Sequence, residues 1–351
     1  MHHSRMEPRV RRLIAQGTVI PAHPLALDAR RALDTTHQRA LTRYYIDAGA
    51  GGLAVGVHTT QFAIREAALY APVLELAAAT AASWTTKPLA LVAGLCGPTA
   101  QAVAEARTAL GIGYHAGLLS LAAMKSASED EIISHCETVA REIPLVGFYL
   151  QPAVGGVILS RDFWRRFAAI DNVIAIKIAP FNRYRTLDVL RGVAAAGALD
   201  RITLYTGNDD HILLDLILPF DLREQGITTR THIRGGLLGH WSVWTATAVE
   251  QFERCCAARG QGAVPDDLLA LDARVTDCNS ALFDVANHFH GCIAGCHEVL
   301  RRQGLLEGIW CLDPAEGLSP GQMGEIDRVC REHADLSDDG FVAANLARWL
   351  A

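Results

Sequence analysis

Lysine is nearly absent from this chain. Of 32 basic Lys and Arg residues, lysine supplies only Lys87, Lys125 and Lys177. Arginine therefore serves wherever a plain positive charge suffices, and each lysine needs its own explanation. Other absences narrow the field. No apolar run is long enough to cross a bilayer without interruption by Gly, Pro or charge, so no membrane span or membrane partner is expected. The start, MHHSRMEPRVRRL, is basic but lacks the apolar segment of a signal peptide, which fits a cytoplasmic protein. The formal net charge is -6 with the signs interspersed, which argues against nucleic acid as a partner. There is no CxxC pair among the nine cysteines, so reduced, partly buried thiols are expected. Cys292 and Cys296 lie one helical turn apart near His288, His290 and His297, but these residues do not share one helical face, and no metal is expected there.

What is present is alternation. Eight β-like runs are separated by amphipathic or Ala-rich helical runs. They are TVIPA (18–22), GGLAVG (51–56), LALVAGL (89–95), AGLLSL (116–121), LVGFYL (145–150), NVIAIKI (172–178), RITLYTG (201–207) and THIRGGLLG (231–239). Strict β–α alternation implies parallel strands. Eight of them without a Gly-rich dinucleotide fingerprint after the first predict an α/β chain with a closed (β/α)₈ TIM barrel. From about residue 245 the pattern becomes helical only. The expected organisation is an N-terminal helix outside the main fold (1–17), the barrel (18–245) and a C-terminal helical extension (246–351) with three helical segments. Trp164, Arg165 and Arg166 fall on the helix after the fifth strand and read as a solvated outer face.

In such a barrel the chemistry sits at the C-terminal ends of the strands. Lys177 lies near that end of the sixth strand, inside the apolar run NVIAIKIAP. Burial favours the neutral amine, which is nucleophilic and condenses with a ketone or aldehyde to a Schiff base. The alternative is a lysine whose head reaches the rim or pairs with a carboxylate. Tyr149 ends the fifth strand just before Pro152, and a phenol beside such an amine can shuttle protons. It could equally be a core aromatic with its hydroxyl at the rim. Asn208, Asp209 and Asp210 follow the seventh strand, where either aspartate could be a helix cap. Gly235 and Gly236 in the eighth would let a substrate approach the backbone closely. His211 and Trp241 are further residues near the expected pocket. No H-x-H pair stands at the strand ends, which ranks a metal-dependent hydrolase low.

These motifs resemble the dihydrodipicolinate synthase / N-acetylneuraminate lyase family of Schiff-base-forming class I aldolases. GTVIPAHPL resembles its opening strand, FYLQPAVGG its Y-N-x-P tyrosine motif, NVIAIKIAPFN its G-x-K lysine motif and TGNDDHIL its seventh-strand motif. VLRRQGLLEG followed by LSP resembles its C-terminal helices. The resemblance implies a (β/α)₈ barrel, Lys177 as Schiff-base lysine, Tyr149 as proton-transfer tyrosine, a 2-oxo acid of pyruvate type as substrate, no cofactor, and a homodimer or homotetramer. His58, Thr59, Thr60 and Gln61 lie on the family's T-T-G-E loop, which implies that His58, Thr59 and Thr60 bind the carboxylate; Asn208 and Gly235 are the further candidates for substrate binding. Here His58 replaces a threonine and Thr60 a glycine. His58 could act as a substitute acid/base or be a rim histidine without a role. True dihydrodipicolinate synthases carry an arginine where this chain has Val154, and a second relay tyrosine where it has Met124 and Lys125. A site without that arginine holds a second carboxylate poorly. The expectation is therefore a lyase or aldolase acting on a 2-oxo acid with a sugar-acid, aromatic or otherwise less anionic partner, and not a true dihydrodipicolinate synthase. A sugar-acid dehydratase, or an inactive binding or regulatory protein, are the alternatives.

Overall fold

A computed structural model describes residues 1–224 and 226–351. The strands are β1 (Val19–Pro21), β2 (Gly52–Val55), β3 (Ala90–Leu95), β4 (Ala116–Leu119), β5 (Leu145–Leu150), β6 (Val173–Ala179), β7 (Thr203–Thr206), a pair β8 (Pro219–Glu224) and β9 (Ile227–His232), and β10 (Gly235–Leu238). Eight of them form one parallel sheet in the order β1-β10-β7-β6-β5-β4-β3-β2. The sheet closes where Ala22 bridges Ala54 in parallel and the His23 N–H donates to the Ala54 carbonyl at 2.8 Å. This is the expected (β/α)₈ barrel. The eighth barrel strand starts at Gly235, four residues later than its sequence pattern suggests. The preceding Thr231 and His232 belong to the exposed antiparallel hairpin β8–β9, which the alternation of strands and helices had concealed.

The strands are short and β-branched or aliphatic, and their side chains alternate between two apolar layers. On β5, Val146, Phe148 and Leu150 point into the barrel, while Leu145 and Tyr149 join the layer between sheet and helices. The outer helices are α2 (Thr35–Asp47), α3 (Tyr70–Trp84), α4 (Thr99–Ile112), α5 (Glu129–Ala140), α6 (Arg161–Ala169), α7 (Arg183–Ala195), α8 (Ile212–Ile217) and α9 (Thr245–Ala258). Several start on side chains that satisfy their first N–H groups. Asp34 caps α2, Ser128 and Glu131 make a reciprocal capping box on α5, Ser160 caps α6 and Asn182 caps α7. Trp164 of α6 is buried against Tyr149, so this helix does not present it to solvent.

Both ends of the barrel are covered. The first helix, α1 (Pro8–Gln16), is not outside the main fold: Val10 and Ile14 are buried against Ile20, Val92 and Ile174 at the N-terminal ends of the strands. At the other end, helix α9 packs against β1 as the eighth barrel helix, so the added helices begin with α10 (Asp266–Leu282). They continue as α11 (Cys292–Arg302), α12 (Gln322–Glu332) and α13 (Asp339–Leu350). Helix α13 is fastened to α2 by Trp349, whose indole N–H donates to Asp47 at 2.6 Å, while the Tyr44 hydroxyl donates to Asp338 at 2.7 Å. Between α10 and α11 the chain turns sharply, with positive φ at Asp284, His288 and Phe289. The Asp284 carboxylate holds this turn by accepting from the Gly291 N–H and the Asn287 amide. The turn carries Phe289, and with Phe283 at the end of α10 it lies over the mouth of the barrel. No helix among the described residues is long and apolar enough to cross a membrane.

Candidate active site

At the C-terminal mouth lies a pocket with a cavity volume of about 60 Å³. The barrel contributes Val57, His58, Thr59, Phe148, Leu150, Gln151, Val154, Lys177, Phe181 and Asp209 to its wall, and the C-terminal helices contribute Phe283, Phe289, Cys292, Ile293 and Cys296. Among the described residues, its basic lining residues are Lys177 and His58, and no guanidinium reaches it.

Lys177 points inward because it pairs in register with Phe148 on β5 and Tyr205 on β7, both on the interior face. It is 8% exposed. Its Nζ lies 4.5 Å from the centroid of the Phe148 ring and makes no ion pair within 4.0 Å among the described residues. Its stem crosses Gly207, where an added Cβ would stand 2.6 Å from Lys177 Cε. A glycine is required there because the aliphatic stem occupies the space of a side chain. Burial drives the Lys177 ammonium down to about 8, against the pull of the Asp209 charge.

Asp209 is the residue that the motifs left open. It lies three residues beyond the end of β7, in a turn where its N–H donates to the Gly207 carbonyl at 3.1 Å, and its side chain enters the pocket. One carboxyl oxygen accepts from the His240 N–H at 2.9 Å, and the other has no hydrogen-bond partner among the described residues. Burial raises this carboxyl to about 7, opposed by the Lys177 charge and by the His240 N–H. Lysine and aspartate thus titrate as a pair.

The loop after β2 delivers His58 and Thr59 to the same pocket, in a 3-10 turn (His58–Thr60) whose start has no side-chain cap. Burial, then the Lys177 charge, lowers His58 to about 4, so its imidazole stays neutral near neutral pH and is not the pH switch that its residue type suggests. Thr59 is 6% exposed and its hydroxyl has no partner among the described residues. Thr60 turns away. Its hydroxyl accepts from the Gly56 N–H and donates to the His23 carbonyl, which pins the loop rather than a ligand. The positive φ that the missing glycine would have supplied falls one residue later, at Gln61 (68°). The Gln61 side chain ties the loop to the C-terminal segment by accepting from the Leu312 N–H at 2.6 Å.

Besides Thr60, three expected site residues are not brought to the pocket. Tyr149 points outward because Phe148, not Tyr149, pairs with Lys177. Its hydroxyl lies 3.4 Å from the Leu159 carbonyl and N–H and accepts from Arg185 Nη1 at 3.2 Å. Asn208 faces the sheet–helix layer, where its amide donates to Asp215 and Thr186. Its carbonyl accepts from the Phe181 N–H and so holds that residue at φ 48°, a left-handed backbone that a phenylalanine avoids unless restrained. Gly235 lies at the opposite end of the barrel, where a Cβ would meet the Tyr205 ring at 2.5 Å and the Thr18 backbone. Of the glycines in and after β10, the one that lines the pocket is Gly239. His211 pairs with Asp272 and Trp241 is buried, both away from the pocket wall. Cys292 and Cys296 line the pocket, their thiols pushed up by burial, Cys296 to about 12. Clusters of His and carboxylate groups close enough to share an ion occur at His2/His3/Asp171, Asp34/His37/Glu307 and Asp277/Glu332/His333, none of which lines this pocket.

Comparison with known proteins gives concordant results. Solved structures sharing the fold include dihydrodipicolinate synthase from Acinetobacter baumannii complexed with pyruvate, at 17% identity and a TM-score of 0.72, covering 91% of this chain and 98% of that one. Dihydrodipicolinate synthase from Aquifex aeolicus matches at 18% identity and 0.73 over 91% and 98%. N-acetylneuraminate lyase from Fusobacterium nucleatum matches at 17% and 0.71 over 91% and 99%. A search of curated protein sequences finds no match. The sequence model of the dihydrodipicolinate synthetase family matches residues 15–222, and with the barrel and its lysine in place, the chain belongs to that family.

Proposed function

We propose that the protein is a Schiff-base lyase in which Lys177 condenses with a 2-oxo acid of pyruvate type and a C–C bond is made or broken beside the imine. One observation carries this reading: a solitary amine, buried in an apolar pocket at the C-terminal mouth of the barrel and held down to about 8 by that burial. A structural neighbour complexed with pyruvate supports it. The Thr59 hydroxyl and the uncapped start of the His58–Thr60 turn offer donors for the carboxylate. The iminium draws electrons from the adjacent bond, so no metal or organic cofactor is called for.

The rest of the wall favours an apolar, for example aromatic, aldehyde as the second partner. Val154 stands where a carboxylate-binding arginine would be expected, and Phe181, Phe283, Phe289 and Ile293 face it. A sugar acid would leave several hydroxyls against carbon, each costing about 1–3 kcal/mol without a partner, so aldol chemistry ranks above sugar-acid dehydration. Incubation with pyruvate and sodium borohydride, followed by peptide mass spectrometry, tests the reading. The expected result is a reduced adduct on Lys177 that Lys177→Arg abolishes. No adduct with pyruvate or with a panel of aryl-substituted 2-oxo acids would overturn it in favour of a binding protein.

A further inference from the structure

We propose that Asp209 is the acid/base group of the Lys177 site and moves the protons that imine and enamine formation require. This rests on the Schiff-base reading above and adds a residue to it. Imine chemistry cannot proceed by the amine alone. The amine attacks C2 of the 2-oxo acid, a C–N bond forms, and a proton passes from nitrogen to the former carbonyl oxygen to give a carbinolamine. The hydroxyl then leaves as water, taking one proton from an acid, and the nitrogen lone pair completes the iminium. A base next removes a proton from C3, and the C3–H electron pair forms the enamine. One carboxyl group can perform both of these last steps: as the acid it becomes a carboxylate, and as the base it is restored. No oxidant or second reactant is needed.

Geometry singles out Asp209. The Lys177 stem lies across Gly207, and the turn that follows β7, closed by the Asp209 N–H on the Gly207 carbonyl, sets Asp209 in the wall of the same pocket. The His240 N–H fixes one carboxyl oxygen and leaves the other, without a hydrogen-bond partner among the described residues, in a carboxyl that lines the pocket. Competing groups on the wall fit the task less well. Tyr149 faces the helices, with its hydroxyl held at Leu159 and Arg185. His58 is lowered to about 4, so it has almost no conjugate acid to donate near neutral pH. The Cys292 and Cys296 thiols are raised too far to exchange protons readily. Burial puts the Asp209 carboxyl at about 7, where it both gives and takes a proton.

The test uses the full chain and pyruvate in D₂O, with exchange of the C3 protons followed by proton NMR and imine formation followed by borohydride trapping. Asp209→Asn keeps an oxygen for the His240 N–H and removes the proton. Exchange is expected to fall by roughly 10²–10⁴-fold, with Lys177 still trapped, more slowly. The groups facing the pair are Asp210 beside it, His58 from the loop after β2, and Cys292 and Cys296 from α11; His240 offers only its N–H, with its ring turned to Asn279 and Trp244. The Asp209 charge supports the ammonium, so the trapping rate is expected to rise with pH through about 8 in the wild type and at lower pH in the variant. Asp209→Ser is read in its place should the asparagine form lose its circular dichroism signature. Absence of any Lys177 adduct in the wild type would sink the Schiff-base reading itself. A wild type that is labelled, with Asp209 variants that exchange at the wild-type rate, would overturn this proposal alone, and loss of exchange in His58→Asn instead would move the role there.

Discussion

The floor and the mouth of this barrel are made by the same strands and covered by helices from outside the sheet, yet their polar atoms are treated differently. At the floor, α1 plugs the strand starts and polar groups find partners: the Tyr205 hydroxyl donates to the Ile14 carbonyl at 2.8 Å and the Gly236 N–H to the Thr18 carbonyl at 3.1 Å. At the mouth, the C-terminal helices cover an amine and one carboxyl oxygen that have no hydrogen-bond partner among the described residues. Buried polar groups are normally paired, and leaving them open costs stability. The floor is built for cohesion. The mouth keeps unpaired groups in a low-dielectric pocket, where a substrate would complete their hydrogen bonding.

Glycines make the contrast testable, since both ends use one where a Cβ cannot fit. Gly207→Ala at the mouth is the largest effect we expect. The new Cβ would stand 2.6 Å from Lys177 Cε and 2.8 Å from Ala179 Cβ, so the lysine stem must swing aside. A displacement of the nucleophile on the order of 1 Å costs about 100-fold in rate. Borohydride trapping should fall by that order while the melting temperature stays near that of the wild type. Unchanged trapping would mean that the lysine does not depend on this seat.

At the floor the same substitution should do the reverse. In Gly235→Ala the Cβ would meet the Thr18 N–H at 2.6 Å and the Tyr205 ring at 2.5 Å, and backbone cannot step aside as a lysine stem can. Overpacking of this kind costs about 1–3 kcal/mol, readable as a lower urea midpoint. Trapping per folded molecule should be unchanged. A variant that is stable but catalytically impaired would place Gly235 back with the substrate, where its residue type alone had suggested it.

The errors and successes of the sequence share one physical origin. Alternation of β and α runs is a local signal, so the eight strands, the helices between them and the lysine in an apolar strand were legible. The hairpin β8–β9 was hidden because its last residues, Thr231 and His232, run through Ile233 and Arg234 into GGLL, and a continuous β-like run does not reveal where one sheet ends and another begins. Which face a strand residue takes depends on register with its neighbour, and register is set by the whole sheet. On β5 the pairing with β6 is shifted between Leu145 and Val146, and one residue of phase exchanges Phe148 for Tyr149 at the lysine. After β7 the alternation stops at Thr206, and it is the turn closed by the Asp209 N–H on the Gly207 carbonyl that brings Asp209, not Asn208, to the pocket. Nothing in TGNDD declares that turn. The contribution of Phe283, Phe289, Cys292 and Ile293 was out of reach because it depends on how a distant helical segment folds back over the mouth.

Tyr149 offers the finest division between the two layers of the barrel wall, and the smallest effect. Its ring packs 5.0 Å from that of Trp164, and this contact survives in Tyr149→Phe. What is lost is the hydroxyl, with its long contacts to Leu159 and its contact to Arg185. Removing such a partner from a buried N–H costs on the order of 1 kcal/mol, a modest drop in the urea midpoint. Exchange of pyruvate C3 protons and trapping of Lys177 should stay at the wild-type rate, because the phenol lies on the helix side of β5 and the reacting atoms on the barrel side. A fall of 100-fold or more in exchange, with the fold intact, would require the phenol to reach the lysine. The register between β5 and β6 would then have to differ by one residue in the working enzyme, and Asp209 would lose its role as the proton carrier.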